Sequence, residues 1–155
     1  ADLERYAQQV GLDMRRFSAA LDQQTHRARV EADMDAARAL GASGTPTFFI
    51  NGRQLTGAQP EARFVEAVDR ALAEAQALVS SGTPRRQVYA RSIRNGLTTP
   101  PPQPPSAGTG TAAAGRPTLD PEAVYHVPVT RAQPSRGPAN ALVKLVLFTD
   151  FEWPF

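Results

Sequence analysis

Cysteine is absent from this sequence of 155 residues. Without it, the chain can form no disulfide bond, offers no thiol nucleophile and cannot ligate zinc through sulfur. Long hydrophobic runs are missing as well, since no stretch approaches the roughly 20 apolar residues of a membrane-spanning helix. The sequence therefore predicts no membrane span. Hydrophobic residues make up 41% of the chain, which is enough for one modest core.

Lysine is nearly absent, and Lys144 is its single occurrence. Residues 1–79 hold nine arginines against eleven acidic residues, whereas residues 80–136 hold seven arginines against two. The positive charge is thus concentrated in the middle of the chain. No aromatic stacking platform or known binding motif surrounds the arginines there, so we expect a solvated helix face and no nucleic-acid binding. These residues are Arg85, Arg86, Arg91 and Arg94.

Hydrophobic periodicity predicts two helices near the amino terminus. The first runs from Asp13 to Leu21, with Asp13 as its N-cap. The second runs from Gln24 to Leu40, and its apolar face includes Val30 and Met34. The other positions of that face are Ala37 and Leu40, and Gly41 suits the position after the helix end.

A β-hairpin and a long helix follow. Asn51-Gly52 separates two short apolar runs and is the strongest local hairpin signal in the chain. Pro60 suits the first turn of a helix that extends to about Ser80. The residues expected toward its core are Phe64, Val65, Val68, Leu72 and Val79.

The second half of the chain is less regular. A short helix is predicted within residues 84–95, and the Pro-, Gly- and Ala-rich residues 97–119 are typical of a disordered linker. Val124–Val129 alternates like an edge strand, because Pro128 excludes a central one. Leu142–Phe148 is continuous and apolar except for Lys144, as a buried strand would be, and Lys144 would lie on its exposed or edge-protecting side.

No side chains are spaced like a metal site. His26 and His126 are far apart in sequence and have no acidic partner at ligand spacing. Asp33 and Asp35 lie two residues apart on a predicted helix and so face different directions. We expect neither a metal nor another cofactor.

Two stretches closely resemble one protein family. Residues 40–52 read LGASGTPTFFING, and residues 136–143 and 147–152 read RGPANALV and LFTDFE. The first resembles the second half, and the others the opening, of a bacterial DsbA-like thiol:disulfide oxidoreductase of the thioredoxin superfamily. The resemblance implies an α/β, thioredoxin-like fold that is incomplete or permuted. It also implies that Thr45-Pro46 forms the family's cis-proline loop.

The two halves stand in inverted order, which predicts a tandem arrangement. Residues 1–80 would be the C-terminal half of one domain, 81–96 a short helical extension, 97–119 the linker, and 120–155 the start of a second domain. In the family fold, the strand before the catalytic helix lies antiparallel to the cis-proline strand. Leu142–Phe148 would then pair with Thr47–Ile50, within one chain or between two chains as a strand-swapped homodimer.

The family's redox motif is not in this chain. Trp153 stands where the family has its attacking cysteine, and the resemblance gives this chain no catalytic residue. Thiol exchange needs a thiolate, and an indole cannot replace it. The aromatic ring of Trp153 would either cap a core or contact a client peptide.

The resemblance implies a function only in outline. The chain would be part of a DsbA-like thiol:disulfide oxidoreductase, itself redox-inactive, in the periplasm or extracytoplasmic envelope. Its partners would be unfolded or cysteine-containing client peptides and a redox partner protein. Thr45 and Pro46 would bind the client, with the main chain of Thr45 pairing with an extended peptide. The alternative is a non-catalytic, peptide-binding or chaperone-like module that uses the same loop.

Overall fold

A computed structural model describes residues 2–101, 122–130 and 133–150. It combines helices with a small antiparallel sheet, which is an incomplete thioredoxin-like α/β fold. Residues up to Ala36 form one compact unit, and residues from Ala37 onward form a second. The proposed division into the parts of two tandem domains stays a prediction.

The first unit is helical. Helix α1 spans Asp2–Gln9, α2 spans Met14–Asp22 and α3 spans Arg27–Ala39. The boundary between the two units falls within α3, after Ala36. The carboxylate of Asp13 accepts a hydrogen bond from the backbone N–H of Arg16 at 3.1 Å, which confirms Asp13 as the N-cap of α2. Helices α1 and α2 pack against each other.

Helix α3 differs from its prediction in two ways. It begins at Arg27 rather than Gln24, because Gln24 adopts a positive φ of 51° and cannot belong to a right-handed helix. Its predicted apolar positions also differ from one another, since Val30 and Met34 are exposed whereas Leu40, just beyond the helix end, is buried. A periodic apolar face is buried only where another element covers it.

Within the described residues the sheet has three strands, β1 (Thr47–Ile50), β2 (Arg53–Thr56) and β3 (Leu145–Phe148), in the order β2-β1-β3. The predicted hairpin joins β1 to β2, and both turn residues have positive φ, 45° at Asn51 and 88° at Gly52. This is the type I′ geometry. Only glycine fits at Gly52, since a Cβ there would lie 2.6 Å from the carbonyl oxygen of Tyr125.

Strand β3 pairs antiparallel with β1 in the same chain, with Thr47 opposite Phe148 and Ile50 opposite Leu145. This confirms the pairing expected between the two segments. The expectation of a fully buried strand from Leu142 is wrong, since β3 starts at Leu145 and lies at an edge of the described sheet. An edge strand packed on one face leaves alternate residues exposed.

Helix α4 (Glu61–Ser80) follows the hairpin, then a 3₁₀ turn (Arg85–Gln87) and helix α5 (Val88–Ser92). Pro60 is the N-cap of α4 rather than its first helical residue. The Phe64 ring packs edge-on against Phe48, with centroids 4.8 Å apart. The expectation that Val65 lies in the core is wrong, because its side chain is exposed.

The segment 122–130 does not form the predicted edge strand. It makes isolated bridges instead, Val124 with Arg53 and Tyr125 with Leu97. The N–H of Tyr125 donates to the carbonyl of Gly52 at 2.7 Å, so the segment crosses the hairpin turn rather than extending the ladder. Pro128 has no N–H with which to continue a ladder.

Two hydrophobic clusters hold the second unit together. The first joins Phe49, Tyr125, Val127 and Leu40 on one face of the sheet, with Phe49 and Tyr125 ring centroids 5.6 Å apart. The second joins α4 and α5 to the segment before β3. Its buried members are Ala75, Val88 and Leu142.

Most of the predicted linker, from residue 102 to 119, lies outside the described residues. Among the helices of the described ranges, none combines the length and apolar character that crossing a membrane requires.

Candidate functional site: the Thr45–Pro46 loop

The loop between α3 and β1 contains a cis peptide bond between Thr45 and Pro46. The cis geometry was predicted from the family resemblance, and the structure confirms it. The Thr47 hydroxyl donates to the carbonyl of Gly44 at 2.6 Å, and the N–H of Gly57 donates to the carbonyl of Pro46 at 2.8 Å. Pro46 is buried and Thr45 is exposed, so the loop is anchored to the protein through Pro46 and presents Thr45 to solvent.

The end of β3 meets this loop. Because β1 and β3 are antiparallel, the start of β1 lies beside the end of β3, and the Thr45 hydroxyl donates to the carboxylate of Asp150. This contact joins residues 105 positions apart. The sequence analysis did not predict Asp150 as a site residue. The signal was available, because the resemblance places the strand that ends before Asp150 next to the cis-proline strand. Trp153 lies outside the described residues.

Asn51 holds the segment that leads into β3. Its side-chain amide donates to the carbonyl of Leu142 at 2.9 Å, and its Oδ1 accepts from the N–H of Lys144 at 2.9 Å. Its own N–H donates to the carbonyl of Lys144 at 3.0 Å. A residue read from the sequence as a turn former therefore also anchors the strand that brings Asp150 to the loop.

A charged network ties β2 and α4 to the segment 122–130. Arg70 forms a two-pronged ion pair with the carboxylate of Glu122, and Arg53 bonds Glu74 at 3.0 Å and the Glu122 carbonyl at 2.6 Å. The hydrogen bond from Arg70 lowers the pKa of Glu122, and the positive charges of Arg70 and Arg53 lower it further. The same bond raises the pKa of Arg70. The side chains of Arg70 and Glu122 are 41% and 61% exposed, and such solvent-exposed pairs contribute little to stability.

Tyr89 lies in the interior of the second unit. Its hydroxyl donates to the carbonyl of Val127 at 2.6 Å, and burial raises the pKa of Tyr89 to about 12. The Lys144 ammonium lies 5.2 Å from the centroid of its ring. Lys144 is thus half-buried over an aromatic face rather than on the exposed side of the strand, and its edge-protecting role, the other alternative, stays a prediction.

The histidines that were weighed as metal ligands have other surroundings in the structure. His126 makes a 3.0 Å hydrogen bond between Nδ1 and the carbonyl of Ile93, and His26 belongs to the separate helical unit. Among the residues that the structure describes, no cluster of histidine and acidic side chains could hold a metal ion.

The chemistry available at the loop is hydrogen bonding. The described side chains around it are the hydroxyls of Thr45 and Thr47 and the carboxylate of Asp150. None of these can exchange a disulfide, because that reaction requires a thiolate.

The profile of the DSBA-like thioredoxin domain matches residues 1–84, which is more than half of the chain. The chain belongs to the DSBA-like thioredoxin domain family. The match includes the Thr45–Pro46 loop, the hairpin and α4. Membership supports a fold of the thiol-disulfide oxidoreductase type, in a chain that contains no cysteine.

Curated relatives of this DSBA-like chain match over shorter stretches. It is 51% identical over 63 residues to a Na(+)/H(+) antiporter NhaA of Herminiimonas arsenicoxydans, covering 41% of this chain and 10% of the antiporter. It is 47% identical over 57 residues to Na(+)/H(+) antiporter NhaA 3 of Salinispora tropica, covering 37% and 9%. The chain thus spans about a tenth of the length of these relatives. The comparison with solved structures gave no significant match.

Proposed function

We propose that this DSBA-like chain supplies the client-binding part of a thiol:disulfide oxidoreductase. The observation that carries the proposal is the exposed Thr45 of the cis-proline loop, held beside Asp150 at the end of β3. The clients are unfolded or cysteine-containing peptides in an extended conformation. Their binding is separate from the redox step, which belongs to cysteines outside these 155 residues.

Main-chain pairing at Thr45 is the mode of binding. An extended peptide can add to exposed backbone groups as a short extra strand, with main-chain hydrogen bonds supplying affinity. Two hydrogen bonds, at Gly44 and Pro46, fix the loop on either side of Thr45 and limit the entropy lost on binding. This mode needs no sulfur atom in the chain.

A second candidate is a non-catalytic, chaperone-like module that binds peptides at the same loop. The observation that favours it is the loop geometry in a chain without cysteine. The two candidates differ in the parent protein and not in the site, since only the first requires a Cys-x-x-Cys motif and a redox partner elsewhere.

The setting of the protein is proposed from the family. DsbA-like chemistry belongs to oxidising compartments, so we propose the periplasm or extracytoplasmic envelope. Ion transport is the named activity of the antiporters, and the shared segment, about a tenth of their length, gives no reason to assign it to this chain.

Peptide binding is tested by titrating a ¹⁵N-labelled chain with an extended peptide whose cysteine is replaced by serine. We expect amide shifts at Gly44, Thr45 and Gly57. Thr45→Pro removes the main-chain donor and should weaken binding at least about tenfold, because it deletes a hydrogen bond made only in the complex. Thr45→Ala keeps that donor and is the matched control, with affinity near that of the parent.

The spectrum of each variant shows whether weaker binding comes from the loss of the binding site or from unfolding of the protein. Thr45→Pro must keep the dispersed amide spectrum of the hairpin, and shifts confined to other regions or equal affinity of the two variants would refute the loop as the site. In an insulin-reduction assay the chain should show no activity above the dithiothreitol background. Activity in that assay would contradict the assignment of the redox step to other cysteines.

A further inference from the structure

The chain contains two asparagine–glycine pairs, Asn51-Gly52 and Asn95-Gly96. In such a pair the backbone nitrogen of the glycine can attack the side-chain amide carbon of the asparagine, because glycine has no Cβ to obstruct the approach. The two pairs have similar intrinsic reactivity. A difference between them in the folded chain therefore comes from the structure.

In the folded chain the side-chain amide of Asn51 is held at both ends. Its Nδ2 donates to the Leu142 carbonyl, and its Oδ1 accepts from the Lys144 N–H, both at 2.9 Å. Asn51 is only 6% exposed. Attack at Cγ turns the planar amide into a tetrahedral centre, so neither hydrogen bond can keep its geometry. Reaction at Asn51 therefore requires residues 142–144 to move away first.

The second pair lacks this restraint. Asn95 follows helix α5 and is exposed, and within the described residues its side chain makes no hydrogen bond. Both glycines are equally close to the segment 122–130, since a Cβ on Gly52 or Gly96 would lie 2.6 Å or 2.5 Å from a backbone atom of Tyr125. The two pairs thus differ chiefly in their side-chain amides, and Asn95 serves as an internal reference.

We propose that Asn51 is a deamidation site that the docking of residues 142–144 keeps closed. When that segment leaves, a bond forms between the Gly52 nitrogen and the Asn51 Cγ. The Gly52 nitrogen loses its proton, and Nδ2 gains one and leaves as ammonia. Solvent water then opens the resulting imide ring and leaves aspartate or isoaspartate. Opening of the segment is thereby converted into a permanent change in the chain.

The product opposes renewed docking of the segment. An aspartate carboxylate is ionised at neutral pH, so it cannot donate to the Leu142 carbonyl and would place a negative charge against that oxygen in a buried position. Isoaspartate adds a carbon atom to the backbone of the hairpin turn. Because residues 142–144 lead into β3, either product would also loosen the strand that carries Asp150 to Thr45.

Peptide mapping by mass spectrometry, after incubation of the full chain at neutral pH, measures both sites. In guanidinium chloride, where the chain is unfolded, Asn51 and Asn95 should react at similar rates. In the folded chain Asn51 should react at least about tenfold more slowly than when unfolded, because two hydrogen bonds must break first. It should also react more slowly than Asn95. An equal rate at Asn51 in the two states, or a folded rate equal to that of Asn95, would overturn the proposal.

Phe148→Ala tests whether the docking of β3 controls the rate. The Phe148 ring packs edge-on against Phe49, with centroids 5.9 Å apart, so its truncation should loosen β3 and accelerate deamidation of Asn51 about tenfold. The matched control Leu147→Ala shortens a side chain of the same strand that is 46% exposed, and it should leave the rate unchanged. Equal rates at Asn51 in the two variants would refute control by β3.

Amide hydrogen exchange at Lys144 reports opening of the same contact, because its N–H donates to the Asn51 Oδ1. In the parent chain, low concentrations of guanidinium chloride should raise the exchange rate of Lys144 and the deamidation rate of Asn51 in parallel. This comparison needs no variant and holds even if Phe148→Ala does not fold. Faster exchange at Lys144 with unchanged deamidation of Asn51 would contradict the proposal.

Discussion

The helical unit up to Ala36 and the sheet-containing unit that follows differ in how deeply their apolar side chains are buried. In the sheet unit Phe49 is fully buried against Tyr125 and Phe148. In the helical stretch Val30 and Met34 are 53% and 47% exposed, and α3 buries none of its residues. Burial of Phe49 comes from contacts distant in sequence, whereas α1 and α2, which pack against each other, are neighbours in sequence. Hydrophobic periodicity alone therefore does not decide which side chains stabilise the fold.

The largest change in the free energy of unfolding is expected from Phe49→Ala, which tests the difference in burial between the two units. Truncating a fully buried phenylalanine removes its transfer energy and leaves a cavity, at a cost of about 3–5 kcal/mol. The matched control Met34→Ala truncates an exposed side chain and should change the free energy of unfolding by less than about 0.5 kcal/mol. Urea denaturation followed by circular dichroism measures both, and comparable costs would contradict the distinction.

A smaller loss is expected when the anchor of β3 is removed. Asn51→Ala leaves the Leu142 carbonyl and the Lys144 N–H without their side-chain partner, which should cost about 1–3 kcal/mol. Asn51→Gly is the control for backbone conformation, because glycine adopts the positive φ of the turn equally well. Amide hydrogen exchange should accelerate first in β3, and unchanged protection there would refute the anchoring role.

The third effect, of a size within the range expected for Asn51→Ala, appears at alkaline pH. Burial raises the pKa of Tyr89 to about 12, whereas an unfolded tyrosine titrates near 10. The folded state therefore retains the proton longer, and the stabilisation is complete below about pH 10 and is lost as the pH rises through about 12. We expect the free energy of unfolding to fall by about 2 kcal/mol over that interval.

Tyr89→Phe isolates this contribution. The variant loses the hydrogen bond to the Val127 carbonyl at every pH. Its free energy of unfolding should no longer show the decrease at alkaline pH that the Tyr89 phenol causes. Tyr6→Phe removes a phenol from the exposed face of α1 and is the matched control. Parallel pH profiles for the parent and Tyr89→Phe would show that burial of this phenol does not matter.

Local signals predicted much of the fold. The Asp13 N-cap, the Asn51-Gly52 turn and the long helix α4 depend on residues close in sequence, and each was recognised for that reason. The pairing of β3 with β1 required the family resemblance as well, because strands so far apart carry no local signal of their partner. The segment 122–130 was misassigned since alternation predicts a strand but does not indicate whether a neighbour is free to pair.

The site was predicted only in part. The family motif predicted the Thr45–Pro46 loop and its cis bond, and its client-binding role stays a prediction. Asp150 and the second role of Asn51 were missed, since both act through hydrogen bonds to residues about a hundred positions away. Hydrogen bonds over such distances depend on how the strands are arranged and leave no spacing pattern in a single sequence.

By itself, the sequence determined that these 155 residues supply no dithiol, because they contain no cysteine, and that Asp13 caps a helix and Asn51-Gly52 forms a turn. The tertiary structure alone decided which apolar faces are buried, that β3 pairs with β1, and that the Asp150 carboxylate accepts a hydrogen bond from the Thr45 hydroxyl. The physical reason is that turns and caps are satisfied by neighbouring residues, whereas burial and cross-strand bonds exist only after distant segments have come together.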